Sequence, residues 1–158
     1  MCGFLAAAST KKINPSFNNE LLKASQKISH RGPDRTAYVS TERTTSIFHR
    51  LVIRDLSNRS DQPIKTKCGR YLVCFNGELY GTEGREFLNF SKFESDTLFL
   101  IELLSIHGIE GLRYLRGMFA ISVIDRHENK MYLIRDHFGI NPLFYITEKG
   151  LRNPKDKV

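Results

Sequence analysis

A cysteine stands directly behind the start methionine in Met1-Cys2-Gly3-Phe4. Its side chain is small enough for methionine aminopeptidase to remove Met1, which would leave one residue carrying both a thiol and a free α-amine. A thiol titrates at about 8.5 and an α-amine at about 7.7 to 8.0, so at neutral pH a useful fraction of the amine is neutral and can take a proton. Nucleophile and base then reside on one residue, with no distant histidine required. The plainer alternative is a small hydrophobe opening a strand. The count of 3 cysteines is odd, and Cys68 and Cys74 lack metal-ligand spacing, so neither a disulfide framework nor a zinc site is suggested.

The elements that would position such a residue follow from periodicity and chain breakers. Gly3 to Ala8 reads as a short buried strand. Phe17, Leu21, Ala24 and Ile28 recur at helical spacing behind Pro15, with Asn14 or Ser16 as the cap and a stop at Ser29. His30-Arg31-Gly32-Pro33-Asp34 is a structured loop. Residues Thr36 to Ile53 predict two strands around a turn near Glu42, and Ser57 to Pro63 a loop. Arg70 to Phe75 predicts a strand with Asn76-Gly77 behind it, the strongest short hairpin signal.

Farther on, Glu83 to Phe93 reads as a linker with at most a turn of helix. Ser95 and Asp96 then stand at an N-cap ahead of Leu98, Phe99, Ile101, Leu103, Leu104 and Ile106. That helix is apolar on most of its circumference, hence buried, and Gly108 ends it. A short helix over Glu110 to Leu115 follows, then a hairpin of Met118 to Asp125 and Met131 to Ile134, a loop from Arg135 to Pro142, and a last strand from Leu143 to Ile146. Strands outnumber helices and many are joined by hairpins, so the fold class is α+β with antiparallel sheets. Two sheets sharing one core, with the helices near Leu21 and Leu103 outside, make four layers.

A chain of 158 residues suits one domain, expected over residues 2–147, followed by a charged, patternless tail from 148 to 158 that frays. The apolar run Phe4 to Ala8 is too short to span a bilayer, and no basic segment precedes it as a signal peptide would require. A cytoplasmic protein is expected. The formal charge of +7, from 24 basic against 17 acidic residues, is scattered and accompanies no nucleic-acid motif. It reads as a solvated surface or a face for an acidic partner, not as a nucleic-acid site.

Several stretches agree, in order and spacing, with one family. Cys2-Gly3, His30-Arg31-Gly32-Pro33-Asp34, Arg50-Leu51 with Ile53 and Asp55-Leu56, and Gln62-Pro63 come first. Phe75-Asn76-Gly77-Glu78-Leu79-Tyr80, Ser95-Asp96-Thr97, Gly117-Met118-Phe119-Ala120 and Arg135-Asp136-His137-Phe138-Gly139-Ile140 follow. From residue 2 to about residue 145 the chain resembles the class II glutamine amidotransferase domain of glutamine-hydrolysing asparagine synthetases.

The resemblance implies the N-terminal nucleophile hydrolase fold, an αββα sandwich. It also implies that Cys2, after loss of Met1, attacks the side-chain amide of glutamine and forms a thioester, with no metal or cofactor. Asn76 and Gly77 match the oxyanion-hole pair, Arg50 the residue that holds the glutamine α-carboxylate, and Asp96 the one that holds its α-ammonium. Glu78, with the backbone near Leu51 and Ile53, matches the remaining wall. For each residue an ordinary role is the alternative: a hairpin turn at Asn76-Gly77, a helix cap at Asp96, a surface ion pair at Arg50, an inert thiol at Cys2.

The match departs from the family in places. The chain ends at Val158 without the ATP- and aspartate-binding synthetase domain, and Asn141 stands where the family usually has lysine. The region from Tyr80 to Glu94 looks shortened, and the Phe-Ala-Ser-Glu type segment after Tyr145 is missing. The expectation is a glutaminase unit that supplies ammonia to a separately encoded ATP-dependent synthetase, for asparagine synthesis or a related amidation. The alternatives are a truncated, inactive fragment and a glutamine-binding module without turnover.

Overall fold

In the computed structural model, which describes residues 1–53, 56–84, 89–147 and 150–152, alternation of side chains sorts the strands into two antiparallel sheets. The first holds β1 (Gly3–Ala8), β2 (Arg35–Ser40) and β3 (Thr44–Arg50) in the order β1-β3-β2. The second holds β4 (Ile64–Lys65), β5 (Tyr71–Thr82), β6 (Leu115–Asp125) and β7 (Lys130–Arg135) in sequence order. A short third pair, β8 (Tyr145–Thr147) and β9 (Gly150–Arg152), follows. Among the described residues the chain is α+β, with its two larger antiparallel sheets and two α-helices layered as a sandwich.

Each sheet turns one face to the other and one to a helix. On β3, Thr45 donates its hydroxyl to Asn18 of helix α1 (Pro15–Gln26), while the hydroxyl of the neighbouring Ser46 lies beside Cys74 of the opposite sheet. On β5 and β6, Val73, Phe75, Phe119, Ile121 and Val123 form one cluster with Phe99, Leu100, Leu103 and Leu104 of helix α2 (Asp96–Gly111). Burial of these large side chains contributes about 1.5 to 3 kcal/mol each, which holds α2 flat against its sheet. The near-continuous apolar surface of α2 is matched by that burial, and no helix among the described residues is long and apolar enough to cross a membrane.

Caps fall where the sequence puts them. Asn14 accepts the N–H of Phe17 at 2.7 Å, and Ser95 accepts that of Leu98 at 3.3 Å. The boundaries differ in four places. Helix α1 ends at Gln26, and a 3-10 turn at Ser29–Arg31 takes over the segment expected to finish it. Past Gly108, which breaks the helix with φ 62° and ψ −159°, the chain makes one more turn to Gly111 and a 3-10 turn at Leu112–Tyr114 instead of a second helix, and Leu115 already belongs to β6. The last strand begins at Tyr145, not Leu143. The tail is not patternless throughout, since Gly150–Arg152 pairs with Tyr145–Thr147; the rest of the segment expected to fray, 148–149 and 153–158, lies outside the described residues.

The largest departure bears on the site. Asn76-Gly77 is not a hairpin turn but the middle of the 12-residue strand β5, with Asn76 opposite Ala120 and Gly77 opposite Phe119. A type I′ turn needs positive φ at both residues. Only Gly77 has it (φ 147°); Asn129, in the β6–β7 turn, is the one non-glycine with positive φ among the described residues. Pairing along β6 overrides the local turn preference.

Candidate active site

Cys2 sits at the mouth of β1, half-buried, and three short segments hold it. The backbone N–H of Leu51 lies 3.4 Å from its sulfur, and the thiol in turn reaches the Leu51 carbonyl at 3.7 Å. Arg31 Nε donates to the Cys2 carbonyl at 3.1 Å. The loop that carries Arg31 is pressed against the end of β3: a Cβ on Gly32 would fall 2.1 Å from the His49 carbonyl oxygen, so only glycine fits. Asp34 completes the bracket, giving its N–H to the Arg50 carbonyl at 3.1 Å and accepting the Val52 N–H at 2.7 Å. The His30-to-Asp34 motif thus acts as a clamp on the backbone that faces the thiol.

Opposite Cys2 lies the middle of β5. Strand alternation points the main-chain groups of Tyr71, Val73 and Phe75 away from β6, toward the β4 side. There Gln62 acts as a substitute strand, its Nε2 donating to the Phe75 carbonyl at 3.1 Å and its Oε1 accepting the Phe75 N–H at 2.6 Å. The same alternation directs the main chain of Gly77 to that side. Its opposite residue agrees: Phe119 donates its N–H to Asp136 Oδ2 at 3.1 Å and its carbonyl accepts the Asp136 N–H at 2.9 Å, and so it turns its own backbone away from Gly77. Two residues on, the Leu79 N–H is held by Asp96 Oδ2 at 3.0 Å. Gly77 can take this course only without a side chain, because a Cβ there would lie 2.0 Å from the Met118 carbonyl oxygen.

The two faces enclose one cavity of about 170 Å³. Every residue singled out from the sequence lines it: Cys2, Arg50, Leu51, Ile53, Asn76, Gly77, Glu78 and Asp96. Arg50 and Asn76 are buried, at 6% and 7% exposure, while Ile53 at 71% stands on the rim. Arg50 enters as a buried cation that is already engaged: Nη1 donates to the Ser57 carbonyl at 2.8 Å and to Asp61 Oδ1. Asp96 stands in the first turn of α2 with Ser95 as its cap, so the helix needs the serine and leaves the aspartate to face β5 and the cavity. Met1 also lines the space.

Sequence reasoning gave no role to Gln62, Thr97, Ser60, Met118 or Asn141, which line the cavity too. Gln62-Pro63 and Ser95-Asp96-Thr97 mark the first two, but nothing in a glutamine or threonine signals pairing to a distant strand. Asn141 N donates to Asp136 Oδ2 at 3.0 Å and Asn141 Nδ2 to the Met118 carbonyl at 2.8 Å, which ties the loop after β7 to the strand facing Gly77. Asp136, 2% exposed, anchors that loop. Burial pushes its carboxyl up, but the backbone N–H groups of Ile140, Asn141 and Phe119 outweigh burial and hold it below the usual carboxylate range.

The other thiols have different surroundings. Cys74 lies between the sheets, where burial pushes its pKa up to about 12 against the hydroxyls of Ser122 and Ser46, so it is a packing residue. Cys68 is exposed, with its sulfur 3.3 Å from the Thr66 hydroxyl. Among the described residues no grouping of three or more His, Cys, Asp or Glu is placed to hold a metal ion.

A family model described as a glutamine amidotransferase domain matches residues 1–153. The chain is similar to asparagine synthetase [glutamine-hydrolyzing] 1 of Bacillus subtilis, 35% identical over 154 residues, covering 93% of this chain and 24% of that protein. Asparagine synthetase [glutamine-hydrolyzing] 2 of the same organism is 38% identical over 125 residues, covering 77% of this chain and 17% of its own length. Asparagine synthetase [glutamine-hydrolyzing] 1 of Saccharomyces cerevisiae is 32% identical over 149 residues, 91% of this chain and 25% of that protein. The chain thus spans a quarter or less of the length of these relatives.

Proposed function

The chain belongs to the family of glutamine amidotransferase domains, and from that membership and the contents of the cavity we propose that it hydrolyses glutamine to glutamate and ammonia through a thioester on Cys2. The observation that carries the reading is the sharing of one cavity by the Cys2 sulfur, the Asn76-Gly77 backbone and two residues of opposite charge, Arg50 and Asp96. Glutamine presents the complementary set: an amide at one end, a carboxylate and an ammonium at the other.

Once Met1 is removed, the Cys2 amine takes the thiol proton and the thiolate attacks the amide carbon. The carbonyl electron pair moves onto oxygen, where the Asn76 side-chain amide and the Gly77 N–H receive it; losing one such donor costs roughly 3 to 4 kcal/mol. Collapse expels the nitrogen as ammonia, with the proton from the amine, and leaves the thioester. Water attacks next, passes a proton back through the amine to sulfur and releases glutamate. A planar Arg50 fork suits the α-carboxylate and Asp96 suits the α-ammonium, so a free amino acid is selected over a peptide. Glu78, Leu51 and Ile53 close the remaining wall.

The test is direct. The protein is purified, loss of Met1 is checked by mass, and glutamate release from glutamine is measured. Release that disappears in Cys2→Ala supports the reading; release that survives it unchanged overturns it. In this reading the ammonia goes to an ATP-dependent synthetase in the cytosol, for asparagine or a related amidation, a destination suggested by the names of the matched relatives.

One observation favours a second reading. Met1 lines the cavity, and while it is retained the nitrogen of Cys2 is an amide that cannot act as a base. A chain in which Met1 stays would bind glutamine without turning it over, and calorimetry on the unprocessed protein separates the two.

A further inference from the structure

We propose that Arg35, which does not line the cavity, sets its affinity for the ligand α-carboxylate by occupying the second oxygen of Asp61; this rests on the glutaminase reading above. Arg35 and Arg50 are directly opposite partners on β2 and β3. Like charges so placed repel. Asp61 lies between them: its Oδ1 accepts from Arg50 Nη1, and Arg35 Nη1 lies 3.1 Å from Oδ2 and 3.2 Å from Oδ1. Arg50 is the buried member, its side chain 8% exposed against 38% for Arg35 and 35% for Asp61.

The geometry explains why the outer arginine matters to the inner one. An arginine and a carboxylate bind most strongly through two parallel N–H···O bonds. Arg35 Nη1 spans both carboxylate oxygens, so Oδ2 is taken and Asp61 meets Arg50 through Oδ1. Without Arg35, Asp61 rotates into a two-point pair with Arg50 and neutralises the guanidinium that the ligand carboxylate needs. Arg35 is itself anchored on the loop that carries Asp61, donating to Asn58 Oδ1 at 2.6 Å and to the Leu56 carbonyl at 3.3 Å. It is a positioning residue, acting on the ligand through Asp61 and Arg50.

The test pairs glutamine with its α-amide, which has no carboxylate, in steady-state hydrolysis and, on a Cys2→Ala background, in calorimetric binding. Arg35→Gln is expected to raise KM and Kd for glutamine roughly fivefold, with kcat within about twofold and the α-amide unaffected. Arg35→Lys keeps the charge on Oδ2 and stays near wild type. Adding Asp61→Asn to Arg35→Gln removes the competing charge and recovers glutamine affinity, a reversal that loosening of the loop cannot produce. Should Arg35→Gln fail to fold, Asp61→Asn alone decides: a KM at or below wild type supports the proposal, and a rise overturns it. Equal loss for glutamine and its α-amide, or further loss in the double variant, also overturns it. If the wild type neither binds nor hydrolyses glutamine, the proposed function falls and this inference with it; if the wild type does both and Arg35→Gln matches it, this inference alone falls.

Discussion

The backbone N–H of Leu51 lies 3.4 Å from the sulfur of Cys2, so the residue after Arg50 holds the thiol. One stretch of main chain therefore sets the separation between the proposed nucleophile and the proposed carboxylate anchor. Asp34 in turn holds both ends of that stretch, at Arg50 and Val52.

Asp34→Ala is expected to loosen that spacing. The Val52 N–H loses a charged acceptor in an exposed setting, a cost of about 1 kcal/mol, so kcat/KM for glutamine falls several-fold while the melting temperature moves little. Steady-state kinetics with a thermal unfolding scan check both.

At the proposed oxyanion pair, Asn76→Ala is expected to lower kcat roughly 10²- to 10³-fold, with little change in KM, because its side chain is asked to act on charge that appears only in the transition state. A matching rise in KM with kcat preserved would assign Asn76 to ground-state binding instead.

Two glycines test the backbone approaches. A Cβ at Gly77 would lie 2.0 Å from the Met118 carbonyl oxygen, and one at Gly32 would lie 2.1 Å from that of His49. Each alanine variant forces strands or loop apart at a cost on the order of 2 to 4 kcal/mol, with positive φ adding to the strain at Gly77. Denaturant unfolding measures the loss; an alanine tolerated at either position contradicts the packing described.

Asp96→Asn keeps an oxygen for the Leu79 N–H and leaves the Ser95 cap in place, so stability is expected to hold. If the carboxylate receives the α-ammonium, KM for glutamine rises about tenfold or more with the loss of that charge. Melting temperature and KM measured together separate the two roles.

Asp136 gives a pH signature. Its carboxyl is held below the usual range when folded, so its contribution to stability is fully present above the unfolded value of about 3.9 and is lost as pH falls through the lower folded value. Asp136→Asn is expected to cost about 1 to 3 kcal/mol at pH 7. Urea unfolding between pH 7 and pH 3 should show the gap between variant and wild type narrowing below about pH 4.

Much of this organisation is legible in the residues, because local physics sets it. Asn14 and Ser95 are caps by side-chain chemistry, the apolar circumference of α2 demands burial, and alternation in β3 and β5 supplies two faces. The resemblance to the amidotransferase family, carried by the order of its short motifs, is what groups Cys2, Arg50, Asn76, Gly77 and Asp96 in the sequence. What escaped is long-range. Asn76-Gly77 has the composition of a turn, and only the pairing of β6 along its full length makes it strand. Gln62 standing in for a strand, Asn141 reaching Met118, and Asp61 lying between Arg35 and Arg50 join residues far apart in the chain, and residue type alone does not announce such partners.

Along its outer edge, β5 offers almost nothing to an incoming peptide. Thr66 takes the amide and carbonyl of Tyr71, β4 covers Val73, the Gln62 side chain covers Phe75 and the Asp96 carboxylate covers the Leu79 amide. The row is closed on either side of Gly77, a berth one residue wide. An extended polypeptide cannot dock there by lengthening the sheet, since it would have to displace three side chains and a strand. In the proposed reaction a lone amide oxygen enters the gap, so exclusion of protein-bound glutamine would begin with main-chain geometry, before charge is consulted.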